Sequence, residues 1–240
     1  MLHILVSNHL LFYFKSYFFN RCTKLDQVLL VMTIMPILAK NDVLSKIEAG
    51  ESFNVRLRFI NTQDYLCVVE SNYSEDDRRR RVLTFPLGEE IERNTMLDWL
   101  LEPVRQQGQE NAPAFVRLSS IKHPGEYLIA GTDDLTLDEN RRKVYTWKET
   151  GTDFSEWGGP HDWLLLENQT PPEDQSASNS FIIRNKKFNE DLYVSKEQFE
   201  LNPKYRAVYT WRQDIKIENS ASEAPINAWE IIIQKENPSS

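Results

Sequence analysis

Three places in the chain set cationic side chains close together: Arg78–Arg81, Arg141–Lys143, and Lys204 with Arg206. Each run leads into a valine, at Val82, Val144 and Val208. Guanidinium groups bind oxyanions in a bidentate fork, so Arg78, Arg81, Arg141 and Arg206 are candidate ligands for a sulfated glycan, a phospholipid headgroup or an acidic protein. Acids accompany every run, at Glu75-Asp76-Asp77, at Asp138-Glu139, and at Glu197 and Glu200. Alternating signs of this kind equally describe a solvated hairpin whose charges balance locally.

Other reactive groups are sparse. Of the histidines, His123 and His161 lie among the repeated strings described below. His123 precedes Pro124-Gly125 in a turn and is expected to face solvent. No nucleophile elbow, phosphate loop, zinc-protease helix or dinucleotide fingerprint is present. The acids Asp133, Asp134 and Asp138 lack the spacing and glycine of a calcium loop. The two cysteines, Cys22 and Cys67, exclude a disulfide framework and a structural zinc site by count. The expectation is a non-enzymatic protein with no catalytic residue, no cofactor and no metal. A formal net charge of −8 argues against nucleic acid as a partner.

The elements that must position these groups repeat three times. The string Arg80-Arg81-Val82-Leu83-Thr84-Phe85 returns as Arg142-Lys143-Val144-Tyr145-Thr146-Trp147 and as Arg206-Ala207-Val208-Tyr209-Thr210-Trp211. The valines stand 62 and 64 residues apart. A closing string begins at Trp99, Trp163 and Trp229. An earlier string reads Asp64-Tyr-Leu-Cys, Glu126-Tyr-Leu-Ile and Asp191-Leu-Tyr-Val, and an opening string Val55-Arg-Leu, Val116-Arg-Leu and Ile182-Ile-Arg. All are short and rich in branched and aromatic residues, which is strand composition. Four strands in each of three units predict an all-β chain folded as a single β-trefoil, over residues 52–236, with repeats at about 52–104, 114–168 and 180–235. The polar stretches Gln106–Pro113 and Pro171–Asn179 separate the units. On alternating strands Tyr145 shares a face with Trp147, and Tyr209 with Trp211. These pairs are expected to be partly exposed, and Trp99, Trp163 and Trp229 to be framework.

Ahead of the repeats, residues 41–51 read as one short helix, with Asn41 and Gly50 at its ends and Val43, Leu44 and Ile47 on its apolar face. Residues 1–40 form an atypical extension. Its apolar patches fall short of the roughly 20 residues that cross a bilayer, so no transmembrane span is expected. One reading starts translation at Met32 or Met35 and leaves the protein in the cytoplasm. The other takes the extension as a signal or anchor; as a signal, residues 1–39 have an apolar core at Val28–Leu38 and the protein is secreted.

The order Phe181-Ile-Ile-Arg-Asn, Leu192-Tyr-Val, Val208-Tyr-Thr-Trp211 and Trp229-Glu-Ile resembles the ricin-B-type β-trefoil superfamily over about residues 52–235. Arg142–Trp147, followed by Trp163-Leu-Leu-Leu-Glu, also looks like the trefoil half of the insect thirty-kilodalton haemolymph lipoproteins. The first resemblance implies a sugar pocket in each unit: a carboxylate just after the apolar pair of the second strand, a stacking aromatic on the third, and an amide ahead of the closing Trp. The aromatics match Phe85, Trp147 and Trp211, while the carboxylate positions fall on Cys67, Ile129 and Val194. The amide position holds Leu97, His161 and Asn227, so the third unit, with Trp211 and Asn227, keeps most of the pattern. The expected function is a non-catalytic binding module, lectin-like with a degenerate site for carbohydrate. The alternatives are a protein-interaction scaffold, or anion binding through the basic hairpins. The expected partner is a glycan or a protein, and the expected state a monomer.

Overall fold

The computed structural model describes residues 42–73, 76–86, 95–104, 115–132, 141–150, 158–168, 179–199, 202–212 and 227–234. The chain divides into two compact units, Met1–Asp42 and Val43–Ser240. The first lies outside the described residues apart from Asp42, and with it the readings of Cys22, Met32 and Met35. The polar connectors and the acids at 133–140 also lie outside them.

A short helix, α1 (Asp42–Ala49), leads into twelve strands. Val43 and Ile47, one turn apart, are buried in the main core. The helix ends where Gly50 takes φ 75°. There Gly50 N–H donates to the Ile47 carbonyl at 2.9 Å, and Glu51 N–H to that of Lys46 at 2.9 Å. This paired closure suits glycine, because a Cβ in the left-handed region meets the backbone.

The strands are β1 (Phe53–Phe59), β2 (Asp64–Tyr73), β3 (Asp76–Pro86), β4 (Trp99–Val104), β5 (Phe115–Ser120), β6 (Glu126–Ala130), β7 (Arg141–Lys148), β8 (Trp163–Glu167), β9 (Ser180–Asn185), β10 (Glu190–Phe199), β11 (Asn202–Arg212) and β12 (Ala228–Ile233). β1 shows the period of two that the sequence carries. Phe53, Val55, Leu57 and Phe59 are buried, while Asn54, Arg56 and Arg58 alternate with them at the surface. Arg56 and Arg58 then reach across to Asp98 and Glu230, each at 2.6 Å.

The fold is all-β, but the single β-trefoil of three four-stranded repeats is corrected. The described strands form one continuous antiparallel sheet rather than three separate units. Ten of them close a circuit, β11-β3-β2-β1-β12-β9-β8-β5-β6-β7 and back to β11, and β4 and β10 attach to it as additional strands. β4 joins β1 to β5, and β10 joins β11 to β9. The physical reason lies in the cross-unit ladders. β3, β7 and β11, the equivalent strands of the three repeats, pair with one another. Repetition identifies equivalent strands, but it does not say which strands of different units share hydrogen bonds. Closure leaves few unpaired edges on a chain of many short strands.

Trp99, Trp163 and Trp229 are fully buried among Leu57, Leu101, Leu118, Phe181 and Ile183. Each indole N–H donates to a carbonyl on the second strand of its own unit: Leu66 at 3.1 Å, Leu128 at 3.0 Å and Leu192 at 2.9 Å. An apolar ring with one polar atom is stable inside only when that atom is bonded, and here all three are.

Candidate functional site

The turn before each second strand sets the register of everything polar. One residue in each turn takes a left-handed backbone: Gln63 at φ 63°, Gly125 at φ 81° and Asn189 at φ 55°. Directly after it comes an acid, Asp64, Glu126 or Glu190. The third-unit equivalent is therefore Glu190, one residue before the Asp191 that the repeat strings align. The acids then lie 62 and 64 residues apart, the spacing of the valines. The slip also moves the expected pocket-carboxylate position of the third unit from Val194 to Tyr193; both are buried.

Each acid meets an arginine from the preceding cationic run of another unit. Arg80 Nε donates to Glu126 at 2.8 Å, and Arg142 grips Glu190 with two nitrogens at 3.2 and 3.3 Å. Arg206 Nε lies 3.3 Å from Asp64. The same arginines donate to backbone carbonyls of Glu70, Gly131 and Lys196. A buried threonine completes the set: Thr146 donates to Glu126 at 2.8 Å, and Thr210 donates to Glu190. Thus the candidate anion ligand Arg206 is turned to a carboxylate. Arg78 is held by Asp76 through Nε and Nη2, each at 3.2 Å, and these hydrogen bonds hold the Asp76 carboxyl below its usual range. Arg81 stands opposite Tyr145 on the neighbouring strand, and Arg141 opposite Trp211.

The first unit breaks this pattern. Asp64 is one methylene shorter than its equivalents, and the Thr84 hydroxyl, fully buried, has no hydrogen-bond partner among the described residues. Asp64→Glu is expected to reach Thr84 as Glu126 reaches Thr146, and to raise stability by about 1 kcal/mol. Chemical denaturation measures it; an unchanged or lower midpoint would mean that the space does not admit the longer acid.

Three equivalent side-chain clusters are drawn from the second and third strands of each unit and the residue two places before the closing Trp. In the first, Leu97 packs with Tyr65, Cys67 and Leu83, and Phe85 meets Tyr205 at a tilt with ring centroids 4.7 Å apart. Burial pushes the Cys67 thiol up to about 12, so it is an inert core group rather than a nucleophile. In the second, Ile129, Tyr145 and Trp147 form a buried cluster, and His161 lies 6.3 Å from Tyr127. Trp147 is 3% exposed, which corrects the expectation that its pair with Tyr145 is partly exposed. The guanidiniums of Arg78 and Arg79 cover its ring at 4.5 and 4.6 Å. In the third, Tyr193 meets Trp211 edge-on at 5.4 Å and Tyr209 at 6.0 Å, with Arg141 5.7 Å from the Tyr209 ring. Tyr209 and Trp211 stay partly exposed. Asn227 is buried, and its side-chain carbonyl oxygen has no hydrogen-bond partner among the described residues. Asp191, also buried, is paired with Arg184 at 2.7 Å.

His161 has a second role. It abuts Asp162, which also takes Arg117 at 2.9 Å and Lys186 at 3.4 Å. Burial, and then the Arg117 charge, push the His161 imidazole down to about 4. The unfolded chain therefore binds the proton first, and stability falls as pH drops through the window from 6.5 to 4. His161→Leu, copying Leu97, is expected to remove that dependence. Between pH 7 and pH 4 the unmodified protein should lose about 3 kcal/mol more than the variant. Denaturant midpoints across this range test it, and parallel losses would refute it. His123, expected in solvent, is half-buried, and burial and then Arg80 hold it below the usual imidazole range.

The repeat strings did not nominate Tyr193, Arg79 or Asp162 as site residues, because none of these recurs at the same place in all three units. Equal spacing of acids and valines was the available signal for Glu190. Among the described residues, no group of three or more His, Cys, Asp and Glu side chains is placed to hold a metal ion, and no helix is long and apolar enough to cross a membrane.

No protein-family model matches the chain. No curated protein matches it. Solved structures do. A Caenorhabditis elegans protein of unknown function is 16% identical with a TM-score of 0.51, covering 75% of this chain and 92% of that one. The SDF2-like protein from Arabidopsis thaliana is 14% identical with a TM-score of 0.52, covering 75% and 91%. A chain of the Saccharomyces cerevisiae protein O-mannosyltransferase Pmt1-Pmt2 complex bound to the sugar donor is 15% identical with a TM-score of 0.52, covering 79% of this chain and 27% of that one. The expected membership of the ricin-B-type superfamily, and the likeness to haemolymph lipoproteins, are corrected accordingly. At these identities the chain is similar to an SDF2-like protein in fold alone.

Proposed function

We propose that this protein is a non-catalytic binding module, and that its ligand is a glycan seated on the third cluster. One observation carries the reading. At the equivalent position of the three units, Leu97 packs into the first and Arg78 and Arg79 cover Trp147 in the second, whereas in the third Trp211 is partly exposed and the buried Asn227 carbonyl oxygen has no hydrogen-bond partner among the described residues. A ring face suits the apolar side of a sugar, and an amide carbonyl accepts from its hydroxyls. An unsatisfied buried acceptor costs about 1–3 kcal/mol unless something bonds it. The arginine-paired carboxylates Glu126, Glu190, Asp191 and Asp162 support a structural rather than a catalytic use of the buried acids.

A glycan array tests it, with Trp211→Ala and Asn227→Ala as controls. Binding by the unmodified protein should fall at least 10-fold in each variant, about 1.4 kcal/mol. An array blank for the unmodified protein, with a protein partner captured through the same cluster, would favour the interaction-scaffold alternative.

A further inference from the structure

We propose that Arg78 and Arg79 are a built-in lid on the second cluster, an intramolecular contact that keeps a copy of the third unit's ligand site closed. The copy is visible residue by residue. Tyr145 and Trp147 are the equivalents of Tyr209 and Trp211, and His161 stands where Asn227 stands, in both cases two residues before the closing Trp. The strands carrying them pair in matching registers, Ile129 with Tyr145 and Tyr193 with Tyr209. Yet Tyr145 and Trp147 are each 3% exposed, while Tyr209 and Trp211 are partly exposed.

The difference lies in what covers the rings. Arg78 sits 4.5 Å from the centre of Trp147, and Arg79 sits 4.6 Å from Trp147 and 5.4 Å from Tyr145. A guanidinium over an indole face is attracted by the ring's quadrupole and stacks flat on it, excluding any other occupant. Both arginines belong to β3 of the first unit, so the lid reaches across the ladder in which Arg79 pairs with Trp147. Asp76 fastens it. Its carboxylate accepts from the Arg78 backbone N–H at 3.0 Å and the Arg78 side chain at 3.2 Å, and forms an ion pair with Arg79, 3.3 Å from its Nε. In the third unit, among the described residues, the Arg141 guanidinium lies 5.7 Å from the Tyr209 ring, and Trp211 is partly exposed.

The closed-copy part rests on the third cluster being the ligand site; the lid itself does not. Acrylamide quenching of tryptophan emission reads the lid without any ligand. The variant Arg78→Ala/Arg79→Ala should gain one accessible tryptophan, and adding Trp147→Phe should remove that gain. A native-like unfolding transition with no gain overturns the lid. Should the double variant not fold, Asp76→Ala loosens the same arginines while keeping their charge. A partial gain is then expected, and none overturns the lid. The copy is tested with the glycan selected on the array: titration calorimetry should go from one site in the unmodified protein to two in the double variant. Opened rings with one site overturn the copy. If the array selects no glycan, the proposed function fails, while quenching still decides the lid.

Discussion

Arg142→Met is expected to destabilise the fold by about 3–5 kcal/mol, because it strands a buried carboxylate. Arg142 and Glu190 are 9% and 6% exposed, so neither has bulk water to fall back on. The guanidinium satisfies Glu190 with two hydrogen bonds, donates a third to the Gly131 carbonyl at 3.1 Å, and lies 3.7 Å from the Phe188 ring. Methionine keeps most of the stem and its packing, so the loss isolates the charge. The informative comparison is Arg142→Met/Glu190→Leu. Removing both partners takes away the stranded charge, and the double variant should recover most of the single variant's loss. Urea unfolding of the set decides it. A single variant within about 1 kcal/mol of the unmodified protein would mean that Glu190 finds water or another donor.

Trp163→Ala should cost still more. Truncating a buried Trp loses about 3–5 kcal/mol in packing and cavity formation. Here the Leu128 carbonyl also loses its donor, at about 1–3 kcal/mol. Against a total stability of about 5–15 kcal/mol, that is enough to leave much of the chain unfolded. Trp163→Phe refills most of the volume and should recover more than half the loss, leaving the orphaned carbonyl as the residual. Thermal unfolding followed by near-ultraviolet circular dichroism separates the two. If Phe is as damaging as Ala, the indole hydrogen bond outweighs packing at this position.

Both predictions concern residues that recur with the repeat, yet they were legible to different degrees. The closing tryptophans could be read as framework because each opens a short apolar string, and a large ring in such a string is normally buried. Arg142 could be read only as a cation in a basic run. Its partner stands in another unit, 48 residues on, and the repeat strings point to Asp191 rather than Glu190. An acid one place along an extended strand points to the opposite face. That single-residue slip separates Glu190, which pairs with Arg142, from Asp191, which pairs with Arg184.

The clusters divide in the same way. Asn227 and Trp211 could be nominated from their places in the third unit, but nothing local distinguishes Trp147 from Trp211. Over Trp147 lies a pair of arginines about 70 residues earlier, brought there by the β3–β7 ladder. By itself, the sequence determined what is local and periodic: where the strands run, which residues alternate inward, which three tryptophans anchor the core, and that the units are equivalent. Only the tertiary structure decided how strands of different units pair, and so the continuous sheet closed through ten strands in place of the expected β-trefoil. It also decided which cations meet carboxylates or rings, and which of the equivalent aromatic rings is buried. The reason is physical: side-chain alternation is a property of one strand, whereas pairing and charge compensation join residues far apart in sequence.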